Sequence, residues 1–492
     1  MHTVLGIDLG TQSLKVLFYD ADARRMAACE SAPLNLYQND DGTAEQQAHW
    51  WVNALQEALH KVDPSIRASA RAVAVSGQQH GFVPLSASGE VLAPVKLWCD
   101  TATTRECDEI MDRFGGRQAC IDQVGNPILP GYTASKIAWF RRHHPALYTA
   151  MDTVLLPHDY LNFLLTGERC MEAGDASGTG FLDIRERRWS TALLEAIDPE
   201  RNLIDCLPEL RLEPGVIGTL QPSAAQQLGL PAGIPVATGG GDNMMGAIGT
   251  GNVARGSITM SLGTSGTVYA SSDTPVIDPE GEIAAFCSST GDWLPLLCTM
   301  NCTVTTEILR SLLATDIEAF EQRVSRAPRG AGGLLVLPFF NGERTPNLPR
   351  ARGCIVGMDS QNTQRDNVLR AGLEGATFAL RHGIDRLRDL GLEPAEIMLT
   401  GGGMKSPTWR QAVADICDAP VTVFEQDEGA SFGAALQALA ALEETPIGPV
   451  VEQHLVRHEA LSCTPNPSAV NGYQETYGRY VSAVDAIATL YR

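Results

Sequence analysis

Asp8 stands in the segment GIDLGTQSLK, Gly6 to Lys15, and Asp242 lies in TGGGDN, Thr238 to Asn243. Each is a carboxylate beside a glycine turn. Glycine lets a backbone approach a ligand closely and adopt positive φ, and consecutive N–H groups in such turns form a nest for anions. A carboxylate at the edge of that nest can hold a divalent cation against phosphate oxygens, the role read for Asp8. Its other reading is a turn residue that caps its own backbone. Asp242 precedes an apolar helix expected to start at Met244. A helix N-cap would account for an aspartate there. Three glycines in a row also leave the carboxylate bare, as a general base taking a proton from an attacking hydroxyl requires. At the ordinary carboxylate pKa of about 3.9 such a base is ionised at neutral pH.

Polar groups cluster at two further places. GQQHG, Gly77 to Gly81, closes an expected strand, and KLWCD, Lys96 to Asp100, follows the next hairpin. Ligands bind at the ends of sheet strands in α/β folds. Gln79, His80, Asp100 and the indole of Trp98 offer the hydrogen-bonding groups and flat apolar face that suit a polyhydroxylated sugar. Taken singly, His80 reads rather as a satisfied structural histidine and Trp98 as a core residue; their placement together near turns of one domain favours the binding reading. Arg344 in FNGERTP reads as a phosphate contact or as a surface partner of Glu343.

These residues need a scaffold, and the chain repeats one. SLGTSGTV, Ser261 to Val268, matches the first glycine turn, and TGGGMKS, Thr400 to Ser406, matches the triple-glycine run. The chain thus reads as two copies of one plan, split near 252: an N-terminal domain over 1–252 and a C-terminal domain over 253–492. Strands are expected at Thr3–Leu9, Leu14–Asp20, Met26–Leu34 and Arg71–Ser76, with a helical pattern from Gln46 to Val62. In the second half a hairpin spans Ser257–Leu262 and Thr267–Ala270. Helices are expected over Asp366–Leu390 and Pro407–Cys417, and a small-residue helix over Ala430–Ala441 that packs on a strand at Val421–Phe424. Strands interleaved with helices give an α/β class with a mixed sheet.

At 492 residues, with a hydrophobic fraction of 44%, the chain can bury a large core. A net charge of −21 argues against nucleic acid or an anionic membrane as the main partner. The 12 cysteines show no zinc-type spacing. No signal sequence or apolar run of membrane-spanning length is evident, so a soluble, cytoplasmic protein is expected.

GIDLGTQSLK, GQQHG, TGGGDN, SLGTSG and GGGMKSPTWRQAVADICDAPV with the later GASFGAA together resemble the FGGY family of carbohydrate kinases, over nearly the whole chain. The resemblance implies two ribonuclease-H-like domains of the actin and hexokinase superfamily, with ATP bound in the interdomain cleft. It implies Asp242 as catalytic base and Asp8 beside Mg²⁺. Thr11 with Gln12, and Gly263 with Thr264, would be phosphate-turn residues, and Gly402 and Gly403 nucleotide-side glycines. Gln79 and His80 fall at sugar-contact positions, with Trp98, Asp100 and Asn243 as further substrate ligands. The implied activity is ATP-dependent phosphorylation of a ketopentose, D-xylulose foremost. Other pentuloses or polyols are alternatives, and glycerol is disfavoured because glycerol kinases carry Arg-Glu where this chain has Gln79-His80. Many bacterial members have Met at the position of Gln79. A homodimer is expected from the family. The rival readings are an actin-like or Hsp70-like ATPase and a sugar-sensing regulator.

Overall fold

The computed structural model describes residues 2–426 and 428–491. Two compact units emerge. The first holds the chain up to Val253 together with Ser272–Leu294 and Glu428–Leu455, and the second holds the remainder. The helix at Gly429–Glu443 therefore belongs to the first unit although it lies late in the sequence.

In the first unit a seven-stranded mixed sheet is built around Thr3–Leu9. On one side lie Ser13–Asp20 and then Arg25–Pro33, each antiparallel to its neighbour. On the other side Ala70–Gly77 runs parallel to Thr3–Leu9. Pro235–Ala237 follows in parallel, and Val216–Thr219 closes that edge antiparallel. The short strand Gly240–Gly241 also pairs in parallel with Ala70–Gly77.

The central strands are apolar on both faces because both faces are covered. Leu5, Ile7 and Leu9 pack with Trp51, Leu55 and Leu59 of the helix Ala48–Lys61. Val4 points the other way, into a cluster with Phe432, Leu436 and Leu439. Gly6 shares that second face: a Cβ there would lie 1.9 Å from the Ser431 carbonyl oxygen. The first glycine of GIDLG is thus a packing residue and not part of the anion turn.

The same requirement explains where the small-residue helix goes. Expected on the strand at 421–424, it packs instead on the helix Asp242–Gly249 and on the central strands of the first unit. A Cβ at Gly433 would lie 1.8 Å from the Met245 carbonyl oxygen, and one at Gly249 2.0 Å from that of Gly429. Glycines at the crossing let the two backbones touch.

The second unit carries a five-stranded sheet with a related order. Ser257–Leu262 and Gly266–Ala270 form the hairpin, and Leu296–Thr299 lies outside it, antiparallel. Glu396–Thr400 and then Val421–Thr422 run parallel on the other side. The duplication is real at the hairpins. The triple-glycine runs are not counterparts, however. TGGGMKS follows the strand next to the hairpin, whereas TGGGDN follows Pro235–Ala237, one strand further out. The positional equivalent of TGGGMKS in the first unit is GQQHG, after Ala70–Gly77. Among the described residues no helix is long and apolar enough to cross a membrane.

Candidate active site

Strand register assembles the first unit's polar groups. Asp8 pairs with Ser76, and Ser76 with Gly240. The chain leaving these strands delivers the Gly10–Gln12 turn, Gln78–His80 and Asp242 to one end of the sheet. Ser76 Oγ donates to Asp8 Oδ1 at 2.8 Å. Burial raises the Asp8 pKa, and the Ser76 hydrogen bond, followed by the charge of Lys15, itself ion-paired with Glu428, offsets this only in part.

The helix carrying the second carboxylate begins two residues earlier than expected, at Asp242, with Gly241 as its N-cap. Asp242 is therefore the first helical residue and not the cap. Its Oδ1 accepts from the Asn243 backbone N–H at 2.9 Å and from Asn243 Nδ2 at 3.1 Å. Burial, with the charges of Asp8 and Asp175 added, pushes its pKa up to about 7. The ordinary carboxylate value assumed from sequence does not hold in this site.

Gln79 is 4% exposed. Its Oε1 accepts from Asn243 Nδ2 at 2.8 Å, while its own Nε2 is buried with no hydrogen-bond partner. A Cβ at Gly241 would stand 2.7 Å from Gln79 Cγ, so the glycine run makes room for this side chain. His80 adopts φ +65, a left-handed conformation that a non-glycine residue keeps only when its surroundings hold it. Its carbonyl accepts from Thr133 Oγ1 at 3.1 Å and Lys136 Nζ at 2.7 Å. The ring lies between Tyr132 and Phe286, and a Cβ at Gly178 would collide with it at 2.0 Å.

Beneath this turn lies a charged cluster that no sequence motif marked. His158 is fully buried, 2.9 Å from both Asp159 and Asp175. Burial opposes its protonation, but the two carboxylates outweigh that and hold its pKa well above the ordinary value. Asp175 also receives the His80 backbone N–H. Burial lifts nearby Glu172 to about 7.

The remaining sequence candidates divide. Trp98 Nε1 donates to Thr11 Oγ1 at 2.9 Å, and Thr11 Oγ1 donates to Gln78 Oε1 at 3.0 Å. That hydroxyl proton is committed to Gln78, and the Gly10 N–H to the Ser13 carbonyl at 3.0 Å. Gln12 is exposed at the turn. Asp100, grouped with the sugar ligands from sequence, is fully buried, where it accepts from Lys96 Nζ and the Ala44 N–H, both at 2.9 Å. It anchors the loop that carries Trp98.

In the second unit the Gly263–Thr264 turn rests on the start of the helix Thr303–Leu312. The carbonyls of Gly263 and Thr264 accept from Thr303 N at 2.9 Å and Cys302 N at 3.0 Å. Thr264 itself is exposed. A Cβ at Gly402 would meet open space, whereas one at Gly403 would lie 2.7 Å from Leu262 Cβ. Gly402 can face a ligand, and Gly403 is a packing glycine. Glu343 does not form a surface pair with Arg344. It is buried and accepts from Met300 N at 2.7 Å and Asn301 Nδ2 at 3.1 Å.

The N-terminal domain model of the FGGY family of carbohydrate kinases matches residues 3–249, and its C-terminal domain model matches residues 258–442. The chain belongs to the FGGY family of carbohydrate kinases. It is 42% identical over 485 residues to a xylulose kinase of Haemophilus influenzae, covering 97% of this chain and 98% of that protein. The crystal structure of a xyloylose kinase from Brucella ovis matches with a TM-score of 0.91 at 30% identity, covering 99% of this chain and 100% of the other. A gluconate kinase from Lactobacillus acidophilus also gives 0.91, at 25% identity, covering 100% and 99%. The fold is the two-domain, actin- and hexokinase-like fold of FGGY sugar kinases, as expected from sequence.

Two features of this FGGY site bear on what it can hold. Among the described residues no group of three or more His, Cys, Asp or Glu side chains is arranged to hold a metal. A half-buried carboxylate such as Asp8 instead fits Mg²⁺, which takes most of its ligands from phosphates and water. Asp8 and Asp242 also favour a cation beside them, since desolvation disfavours their charged forms.

Proposed function

We propose that this chain transfers the γ-phosphoryl group of ATP to a ketopentose, converting D-xylulose to D-xylulose 5-phosphate. The observation that carries this reading is the alignment of Asp8, Gln79, Asn243 and Asp242 at one end of the first sheet. The likeness to xylulose kinases along nearly the whole chain supports the choice of sugar.

Asp242 Oδ1 is oriented by Asn243, and Oδ2 accepts the proton of the primary hydroxyl at C5. As that proton leaves, a bond forms between O5 and the γ-phosphorus. The bond to the bridging oxygen breaks, and ADP departs. General-base assistance of this kind is worth about 10²–10⁴ in rate. Asp8 would hold Mg²⁺, directly or through water, and there the ion would supply charge neutralisation at the phosphate oxygens. The backbone N–H groups of Thr11 and Gln12 bind phosphate in the first unit, the Gly10 N–H being held by the Ser13 carbonyl. In the second, the Gly263–Thr264 turn and the open face at Gly402 bind nucleotide. Gln79 and His80 bind the sugar, with Trp98 flanking the turn.

The test is ADP release with Mg²⁺ over a panel of D- and L-ketopentoses, glycerol, gluconate and a blank without sugar. Preference for D-xylulose is expected. Turnover on gluconate or glycerol alone moves the substrate, and hydrolysis independent of sugar removes the kinase reading.

A further inference from the structure

The amide groups beside the catalytic carboxylate are wired in one direction. A carboxylate only accepts hydrogen bonds, so Asn243 must turn its NH₂ toward Asp242 Oδ1, as it does at 3.1 Å. The same Nδ2 lies 2.8 Å from Gln79 Oε1. Gln79 must therefore present its oxygen to Asn243 and its NH₂ to the other side, where Nε2 is buried without a partner. Burying an amide donor unpaired costs about 1–3 kcal/mol. The cost is relieved when an acceptor arrives.

The chemistry of the sugar supplies one. A 2-ketopentose that reacts through O5 cannot be a furanose, because ring closure consumes that hydroxyl. It binds in the open-chain form with a free C2 carbonyl, a group that accepts hydrogen bonds and donates none. We propose that Gln79 reads this carbonyl: Nε2 donates to the C2 oxygen, and the Asp242–Asn243–Gln79 relay fixes that polarity. Gln79 is then a specificity-determining residue that favours ketopentoses over the pentitols formed by reducing C2, whose hydroxyl can also accept from Nε2 but brings a proton that Nε2 cannot accept. The inference rests on the sugar-kinase reading above. A methionine at this position has no N–H to offer, so the device belongs to the glutamine of this chain.

The test compares wild type, Gln79→Met and Gln79→Glu by steady-state kinetics on D-xylulose, xylitol and D-arabinitol. Melting curves and nucleotide-free titration with D-xylulose accompany it. Glutamate keeps the size of glutamine and still accepts from Asn243, but it replaces the donor with an acceptor. In Gln79→Glu the ratio of kcat/KM for ketose to that for pentitol is expected to fall by about tenfold or more. In Gln79→Met it is expected to fall by about threefold to tenfold, chiefly through the KM for D-xylulose. A merely structural role would weaken all three sugars alike. Ratios within twofold of wild type in both variants overturn the proposal while leaving the kinase intact. A wild-type protein that phosphorylates no sugar overturns the function and this inference together.

Discussion

The two units share a hairpin, an outer antiparallel strand and two parallel strands, yet their turns are chemically unlike. Where the first unit has Asp8 before its Gly-Thr turn, the second has Ser261. The helix after the outer parallel strand starts with Asp242 in the first unit. In the second unit's half of the sequence, the helix after Val421–Thr422 starts with Gly429. The first turn region carries half-buried carboxylates whose pKa values desolvation drives upward. At the position of Asp8 the second unit carries the Ser261 hydroxyl, and the helix that starts with Gly429 packs in the first unit. A duplicated scaffold thus carries two chemically different turns. One sets carboxylates at its strand ends, and the other sets a neutral hydroxyl there.

The contrast is broken most severely at Asp242. Asp242→Asn should lower kcat by about 10²–10⁴ while nucleotide binding, followed by calorimetry, is retained. Near-wild-type turnover would remove the base from the first unit. Titration sharpens the point. With a folded-state pKa of about 7, sugar kcat/KM should fall about tenfold per pH unit below that value, as the base takes up a proton. Stability has the opposite sign. The folded state holds this proton more tightly than the unfolded chain does, so Asp242 lowers stability progressively as pH rises from about 4 to 7. Asp242→Asn should melt higher than wild type at pH 8, and the difference should close as pH falls toward 4.

Asp8→Asn comes next, with an expected loss of about 10²-fold in kcat and a higher Mg²⁺ concentration for half-maximal rate. Ser261→Ala, its counterpart in the second unit, should leave that Mg²⁺ dependence unaltered. Gly6→Ala acts on packing alone. The collision with Ser431 should cost about 1–3 kcal/mol or more, read by denaturant melts. The smallest effect separates two adjacent glycines. Gly403→Ala should destabilise the second unit through Leu262. Gly402→Ala should leave the melt within about 0.5 kcal/mol and act only on the KM for ATP. Equal destabilisation by both would mean that Gly402 is also a packing residue.

Local pattern carried much of this into the sequence. The strand Thr3–Leu9 and the helix Pro407–Cys417 end where their turn and capping residues place them, and the helix expected over Asp366–Leu390 runs from Arg365 to Asp389. What stayed hidden depends on contacts distant in the chain. The two TGGG runs look alike because each opens with a glycine at positive φ, Gly239 at +70 and Gly401 at +88. Their strand positions differ, and strand order is not a local property. His158 and Asp175 lie 17 residues apart in segments that resemble no motif, so only folding shows them to be paired. The helix Pro467–Ala488 was missed altogether. Its Tyr473 completes a buried group with Arg370 and Glu374.

The helix Gly429–Glu443 covers the face of the first sheet that Gly6 leaves bare, and it leaves the ribosome only after nearly nine-tenths of the chain has been made. Until then the nascent first unit exposes Val4, Leu17 and Tyr19. Its central strands have no cover on that side. The amino-terminal half is therefore synthesised first but completed late. Its partly built sheet must be kept from aggregating while some two hundred further residues are translated.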